Sequence, residues 1–172
     1  MTGMIGSFLR VAMICIFTMI WISCDRADSP DEGEMISFRS EGYDSLRAIE
    51  YGADEYGMKV YVMAFLKKGP NRNQEPERVS EIQKAHLENI RRLARSGKLV
   101  LAGPFLEEGE LRGVYIFDVD SIDEAERLTE SDPAVEAGRL AVKLHRWYGS
   151  AALMAVNDIH RTLSRDEITE QL

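Results

Sequence analysis

Three short segments of this sequence contain the residue types that proton-transfer chemistry needs. His86 provides an imidazole, the side chain that most often acts as a general acid or base near neutral pH. Asp132, which begins the segment DPAVEAG, provides a carboxylate. Gly103-Pro104-Phe105 provides a turn in which Gly103 would let a ligand approach the backbone. If the three segments converge, we expect a pocket in which Asp132 orients His86 for acid–base work.

Each of these residues also has a structural interpretation. His86 could be a buried histidine that is satisfied by one hydrogen bond. An aspartate before a proline is a good helix N-cap, so Asp132 could begin a short helix with Pro133 as its first residue. Gly103-Pro104 could simply end a strand. Capping and catalysis are compatible, because a carboxylate that is fixed by capping is already oriented toward an imidazole.

Metal and disulfide chemistry are not predicted for the folded part of the chain. His86, His145 and His160 are scattered without short ligand spacing, and we assign no role to the last two. No cysteine follows Cys24, which leaves no thiolate ligands or internal disulfides beyond it. We therefore expect neither a metal nor an organic cofactor.

The elements that would position these residues alternate between strand and helix patterns. His86 falls between Ile82 and Ile90 on one helical stripe, so its ring should point toward a sheet. The order β-α-β-β-α-β predicts a ferredoxin-like α+β fold, with a four-stranded antiparallel sheet and both helices on one face. The predicted elements are strand 58–66, helix 77–96, strand 98–104, strand 113–119, helix 121–130 and strand 139–147.

The strands are apolar on both faces, which is unusual for an antiparallel sheet with one face in water. We expect a symmetric partner to cover the helix-free face, and therefore a homodimer. Residues 151–156 could instead cover part of that face or cross to the partner. The residues assigned to the helix-free face are Tyr61, Met63, Phe65, Tyr115 and Phe117.

The N-terminus has the pattern of a lipoprotein signal. An apolar run of about 12 residues, 11–22, is followed by Ser23-Cys24, with Trp21 where leucine is usual in a lipobox. A spanning helix needs roughly 20 residues, so we favour lipid attachment at Cys24 and a location in the bacterial cell envelope. The alternative is an uncleaved anchor helix that extends back to Met4, with Arg10 reaching the membrane surface.

The sequence thus divides into five parts. A signal peptide (1–23) is followed by an acidic tether (24–42), which is too polar to bury a core. An N-terminal extension (43–57) contains a short helix, and the main domain (58–148) precedes a C-terminal tail (149–172). The net charge of −8 argues against a nucleic-acid partner. Arg72 and Arg91-Arg92 are interpreted as solvated surface, with an anion site as the alternative.

The ordered set YVMAFL, KAHLENI, KLVLAGPF and SDPAVEAG resembles the YciI-like (YCII-related) family, over Met58 to Trp147. The resemblance implies a dimeric α+β barrel of ferredoxin-like subunits and a His–Asp dyad that corresponds to His86 and Asp132. One characterised branch of the family is a dehydrochlorinase that acts on chlorinated hydroxyhydroquinones, whereas most members have no established reaction. The signal, the tether, the extension and the tail are departures from the family pattern.

Two functions are consistent with these observations. The first is a cofactor-independent lyase or isomerase that uses His86 and Asp132 for proton transfer on a small phenolic or polar substrate, with Gly103-Pro104-Phe105 lining the pocket. The second is a membrane-tethered ligand-binding or interaction module without catalysis. An enzyme needs a dyad that is open to a cavity, whereas a sealed and dry dyad favours the module.

Overall fold

The computed structural model describes residues 42–165. The predicted signal peptide, the lipid attachment at Cys24 and the acidic tether lie outside the described residues and stay predictions. Within the described range, no helix is both long enough and apolar enough to cross a membrane. The elements are α1 (Ser45–Tyr51), β1 (Met58–Lys68), α2 (Pro76–Arg95), β2 (Leu99–Pro104), β3 (Leu111–Phe117), α3 (Ile122–Glu130), α4 (Pro133–Glu136), β4 (Leu140–Ser150), a 3-10 helix (Ala151–Ala155) and α5 (Val156–Leu163).

The four strands form one antiparallel sheet in the order β2-β3-β1-β4. With α2 between β1 and β2 and α3 between β3 and β4, this is the predicted ferredoxin-like arrangement. The apolar side of α2 and α3 packs on one face of the sheet, where Leu93 and Ala125 join Val62, Ala64 and other strand residues in the main core. The predicted fold class is confirmed.

Local sequence signals explain where the helices begin and end. The side chain of Asp44 accepts hydrogen bonds from the first turn of α1, and Gly52 ends that helix with a left-handed backbone at φ 64°. Ser121 caps α3 by accepting from the Glu124 N–H. The prediction that Asp132 caps a short helix is also confirmed, because its carboxylate accepts from the Ala134 N–H.

Three strands differ by two or more residues from their predicted bounds because of how they pair, and β1 continues to Lys68 beyond the predicted end at Leu66. β4 continues three residues beyond the predicted end at Trp147, since it pairs with all of β1 from Met58↔Ser150 to Lys68↔Leu140. β3 begins at Leu111 and ends at Phe117, two residues earlier at each end than predicted. Its start is extended by pairing with the last residues of β1. Lys67 pairs with Leu111, and the Lys68 N–H donates to the Glu110 carbonyl.

The assignment of Tyr115 and Phe117 to the helix-free face is wrong. Tyr115 pairs with Ala64 and Phe117 pairs with Val62, and directly opposed residues of an antiparallel pair share a face. Both aromatic side chains therefore lie on the helix-covered face, in the main core. The alternation in β3 was correct, but the register that decides which half of it faces the helices depends on long-range pairing.

The opposite face is partly covered by the chain's own C-terminal segment. Tyr61, Val100 and Ile116 are buried there, and Leu153 and Met154 of the 3-10 helix pack against them. The backbone of β2 is also bonded from this side, because the Asn157 side chain of α5 donates to the Leu99 carbonyl at 2.8 Å. Of the two predicted roles for residues 151–156, the structure supports covering of the face within one chain. Met63 and Phe65 remain only partly buried.

Candidate active site

The two residues predicted to form a dyad are in direct contact. His86 projects from α2 toward the sheet, and its Nδ1 lies 2.8 Å from Oδ1 and 2.9 Å from Oδ2 of Asp132. Asp132 has no exposed surface, and His86 retains 9% of its own. The imidazole therefore separates the carboxylate from solvent.

The position of Asp132 follows from its local sequence. Ser131 ends α3, and the Asp-Pro pair begins α4, so the carboxylate lies between two helix ends beside α2. Burial would raise the pKa of Asp132, but the hydrogen bond and charge of His86 outweigh it, with further donation from Ala134 and Asn89. The net effect holds its pKa below the ordinary value, so Asp132 is a carboxylate at neutral pH.

Asn89 is a member of the site that the sequence reasoning missed. It lies one turn after His86 on the same side of α2, and its Nδ2 donates to Asp132 Oδ2 at 3.2 Å. Its Oδ1 accepts from Arg92 at 2.6 Å, which fixes the direction of the amide. A buried asparagine three residues from His86 on an apolar stripe was the available signal, because such an amide requires partners.

Tyr115 is the second missed member, because it had been assigned to the other face. Its ring is nearly parallel to that of His86, with 6.3 Å between centroids. The hydroxyl lies 3.3 Å from Asp132 Oδ2 and 3.4 Å from His86 Nε2. Burial first, and the nearby Asp132 charge second, raise the pKa of Tyr115 far above its ordinary value. Tyr115 is therefore a neutral hydroxyl that can donate to either partner.

The contacts also decide which nitrogen of His86 carries the proton. A carboxylate can only accept, so Nδ1 must donate its N–H to Asp132. In the neutral ring Nε2 then carries the lone pair that can accept a proton, and the Tyr115 hydroxyl lies 3.4 Å from it. Nε2 is the atom of the dyad with the chemistry of a general base.

His86 and Tyr115 line a cavity of about 420 Å³, within the range of small-molecule sites. Gly103, Pro104 and Phe105, which the sequence placed at a pocket, also line it. Asp132 is not part of the cavity wall and lies behind His86. The structure thus brings all five predicted residues to one site. His145 and His160 do not line the cavity; His145 packs edge-on against Phe65.

Arg72, which lines the cavity, belongs to residues 69–75, the loop between β1 and α2. The loop is joined to the start of β4 by backbone bonds from Gly69 to Arg139 and from Asn71 to Gly138. A Cβ on Gly69 would lie 2.2 Å from the Gly138 carbonyl oxygen, so only glycine permits this approach. Arg72 of the loop is exposed, as predicted, and both it and Arg139 line the cavity.

Across residues 42–165, histidine, cysteine, aspartate and glutamate form no group of three that could hold an ion. Within the same range every buried side-chain nitrogen or oxygen has a hydrogen-bond partner. The polar groups of the site are thus satisfied by one another.

Comparison with known proteins gives a family match and a solved structure with a similar fold. The model of the YCII-related domain matches residues 60–147, just over half of the chain. Among solved structures, the fold is similar to that of 5-chloro-2-hydroxyhydroquinone dehydrochlorinase from Burkholderia phenoliruptrix AC1100, in complex with 2,5-dihydroxybenzoquinone. The identity is 24%, the TM-score is 0.39, and the match covers 52% of this chain and 93% of that one. No curated protein matches the sequence significantly.

Proposed function

The chain belongs to the YCII-related domain family, and we propose that it is a small enzyme of the lyase or isomerase class. Its substrate would be a small phenolic or polar molecule, and the reaction would proceed by proton transfer through His86 and Asp132 without a metal or organic cofactor. The observation that carries the proposal is the position of His86: its Nδ1 is bonded to a buried carboxylate, and its ring lines a cavity. A purely structural dyad would not need that opening.

The proposed chemistry begins at Nε2 of His86. This nitrogen removes a proton from an acidic C–H or O–H of the bound substrate, and the ring becomes an imidazolium. Asp132 stabilises the new charge through the Nδ1–H bond, in the way that a buried aspartate supports a catalytic histidine. The imidazolium then returns the proton to a neighbouring carbon, which is isomerisation, or to a departing group, which is elimination.

Tyr115 has a supporting part in this proposal. Its hydroxyl is close to both Nε2 and Asp132 Oδ2 and is rotatable, so it can donate to whichever of them needs a donor. When Nε2 gains a proton, the hydroxyl turns toward the carboxylate. A neutral tyrosine thus keeps the dyad satisfied in both protonation states.

Isotope exchange tests the proposal before the complete reaction is known. The full chain, purified in a nonionic detergent, is screened against small phenols and lactones for ligand-induced shifts in melting temperature. Each ligand that binds is then incubated in D₂O with wild type or His86→Gln. We expect deuterium to enter the substrate or product with wild type, and the rate to fall about 10²-fold or more in the variant. Equal exchange rates would contradict the assignment of His86 as the base.

We also propose that the protein is a homodimer attached to the cell envelope through lipid on Cys24. The apolar run ending at Ser23-Cys24 supports the attachment, and two acyl chains would give stable anchoring. Labelling with a fatty-acid analogue tests it. We expect the label in wild type and none in Cys24→Ser, whereas equal labelling of both would contradict it.

A further inference from the structure

The charges around the cavity differ from those of the whole chain. The sequence has 29 acidic and 21 basic residues. Yet the charged residues other than His86 that line the cavity are three arginines, Arg72, Arg112 and Arg139, and no carboxylate is among the lining residues. Such a reversal of sign in a concave site raises the local concentration of anions.

Two of the arginines are held in place at one end of the cavity. Arg72 Nη1 donates to the Arg139 carbonyl at 3.2 Å, and Arg139 Nη1 donates to Gln74 Oε1 at 2.8 Å. Gln74 is itself fixed, because its Nε2 donates to the Ala137 carbonyl at 3.1 Å. A guanidinium has five N–H donors, so each arginine keeps most of its donors for a ligand.

The third arginine, Arg112, lies beside the Gly103-Pro104-Phe105 segment. Arg112 follows the first residue of β3, and its carbonyl accepts from the Phe105 N–H at 3.0 Å. Within residues 42–165, its guanidinium forms no ion pair or hydrogen bond. The backbone of Arg112 is therefore fixed by the β2–β3 pairing, while its charged group is available to the cavity.

Among the described residues, no carboxylate neutralises the positive charge at the cavity. None of the three arginines forms an ion pair with a carboxylate in the part of the chain that the structure describes. Burial lowers the pKa of Arg139, and the charge of Arg72 lowers it further. Like charges that are brought together in a partly buried place are stabilised when an anion binds between them.

The rest of the wall is mostly apolar. Hydrocarbon and aromatic side chains from α2 and the sheet form it, so a ligand must match both a cationic and an apolar environment. The apolar lining includes Leu66, Ile82, Leu87, Ile90 and Phe105.

We propose that the cavity binds a small organic acid, whose carboxylate is held by Arg72, Arg112 and Arg139 and whose apolar body lies against the hydrophobic wall beside His86. This inference rests on the proposed function, since it names the substrate class of the same site. A bidentate pairing of carboxylate with guanidinium would fix the ligand's orientation relative to Nε2. The arginines are thus specificity-determining residues.

A matched pair of ligands tests the charge requirement without any need for turnover. The probes are 4-hydroxybenzoate and 4-hydroxybenzamide, which share a phenolic ring and differ in the charge of one group. Calorimetry on the full chain in nonionic detergent measures both dissociation constants. We expect the acid to bind at least about tenfold more tightly than the amide, because charge-assisted hydrogen bonds contribute that much or more.

Variants then identify the groups responsible. Arg72→Gln and Arg112→Gln should each weaken 4-hydroxybenzoate about tenfold and leave the amide unchanged. Arg146→Gln is the matched control, since Arg146 is an exposed arginine that does not line the cavity, and it removes the same charge. We expect it to alter neither constant.

The outcomes separate this inference from the dyad proposal. Equal affinities for acid and amide, no measurable binding of the acid, or a loss of affinity in Arg146→Gln equal to that in Arg112→Gln would overturn the organic-acid inference. None of these results bears on whether His86 exchanges a proton. Conversely, an arginine-dependent preference for the acid together with no isotope exchange would uphold this inference and refute the dyad proposal.

Discussion

At the scale of single residues, the network around Asp132 combines capping with orientation of a base. The carboxylate accepts from His86, Asn89, Tyr115 and the Ala134 N–H, and it is buried only because these donors replace water. The capping and catalytic interpretations of Asp132, which the sequence left open, are therefore compatible in one geometry.

The sequence predicted His86 and Asp132, because their local patterns are strong. It missed Tyr115 and Asn89, because their roles depend on packing between distant elements.

The lowered pKa of Asp132 predicts how stability depends on pH. Asp132 holds its proton more weakly in the folded state than in the unfolded state, so its contribution is complete above the unfolded pKa of about 4. As pH falls below about 4 and approaches the folded pKa, the unfolded chain takes up the proton first, and the contribution is lost. We predict that the stability advantage of wild type over Asp132→Asn shrinks between pH 5 and pH 2.5.

Urea denaturation at several pH values in this window measures the two free energies of unfolding. Glu126→Gln is the control, since Glu126 is exposed on α3, and its difference from wild type should stay nearly constant. A stability advantage of wild type over Asp132→Asn that grows as the pH falls would contradict a lowered pKa of Asp132 in the folded state.

At the scale of secondary-structure elements, the place of Arg72 at the cavity depends on how the 69–75 loop is bonded to the residues at the start of β4. Strand and helix types were predictable from periodicity and caps, and so was the order of elements. The strand ends and the register were not, because they are set by pairing with β1 across long sequence separations. Arg72 is exposed, as predicted, but its place at the cavity was missed for the same reason: nothing near it in sequence indicates that its loop is bonded to Ala137, Gly138 and Arg139.

Gly69→Ala tests the importance of this contact. The added Cβ would lie 2.2 to 2.7 Å from backbone atoms of Gly138, Arg139 and Leu140, and these atoms cannot move without displacing β4. We predict a loss of roughly 1–3 kcal/mol in the free energy of unfolding, measured by urea denaturation. The control is Gly109→Ala, where the new methyl group meets no atom within 4 Å. Its free energy of unfolding should stay within about 0.5 kcal/mol of the wild-type value. Equal stabilities of the two variants would contradict this account of the loop.

At the scale of the whole molecule, the chain itself covers only part of the second face of the sheet. The chain's own 3-10 helix covers Tyr61 and its neighbours, and the proposed partner would cover the remainder around Met63 and Phe65. Two-sided apolar strands predicted a covered face, and the chain's own 3-10 helix covers part of it. They could not show how much of the cover is internal, because a periodic pattern does not record where a tail folds back.

A single charge on that remaining surface tests the homodimer. Phe65 is partly buried on this face and packs edge-on against His145. We predict that Phe65→Glu converts the dimer to a monomer, because a buried dimer interface does not tolerate an unpaired carboxylate. Val60→Glu, at an exposed position on the opposite face of the same strand, should remain dimeric. Sedimentation at micromolar concentration measures the oligomeric state of wild type and of both variants. A wild-type monomer would refute the homodimer proposal.

The central claim is that His86 transfers a proton and that Asp132 orients it, and the most direct test is the turnover of Asp132→Asn beside that of His86→Gln. Asparagine still caps α4 about as well as aspartate, but an amide cannot stabilise an imidazolium. With a substrate found by isotope exchange, we predict that kcat falls about 10²-fold or more in both variants while thermal melting shows that each remains folded. Wild-type kcat in folded Asp132→Asn and His86→Gln would contradict the account.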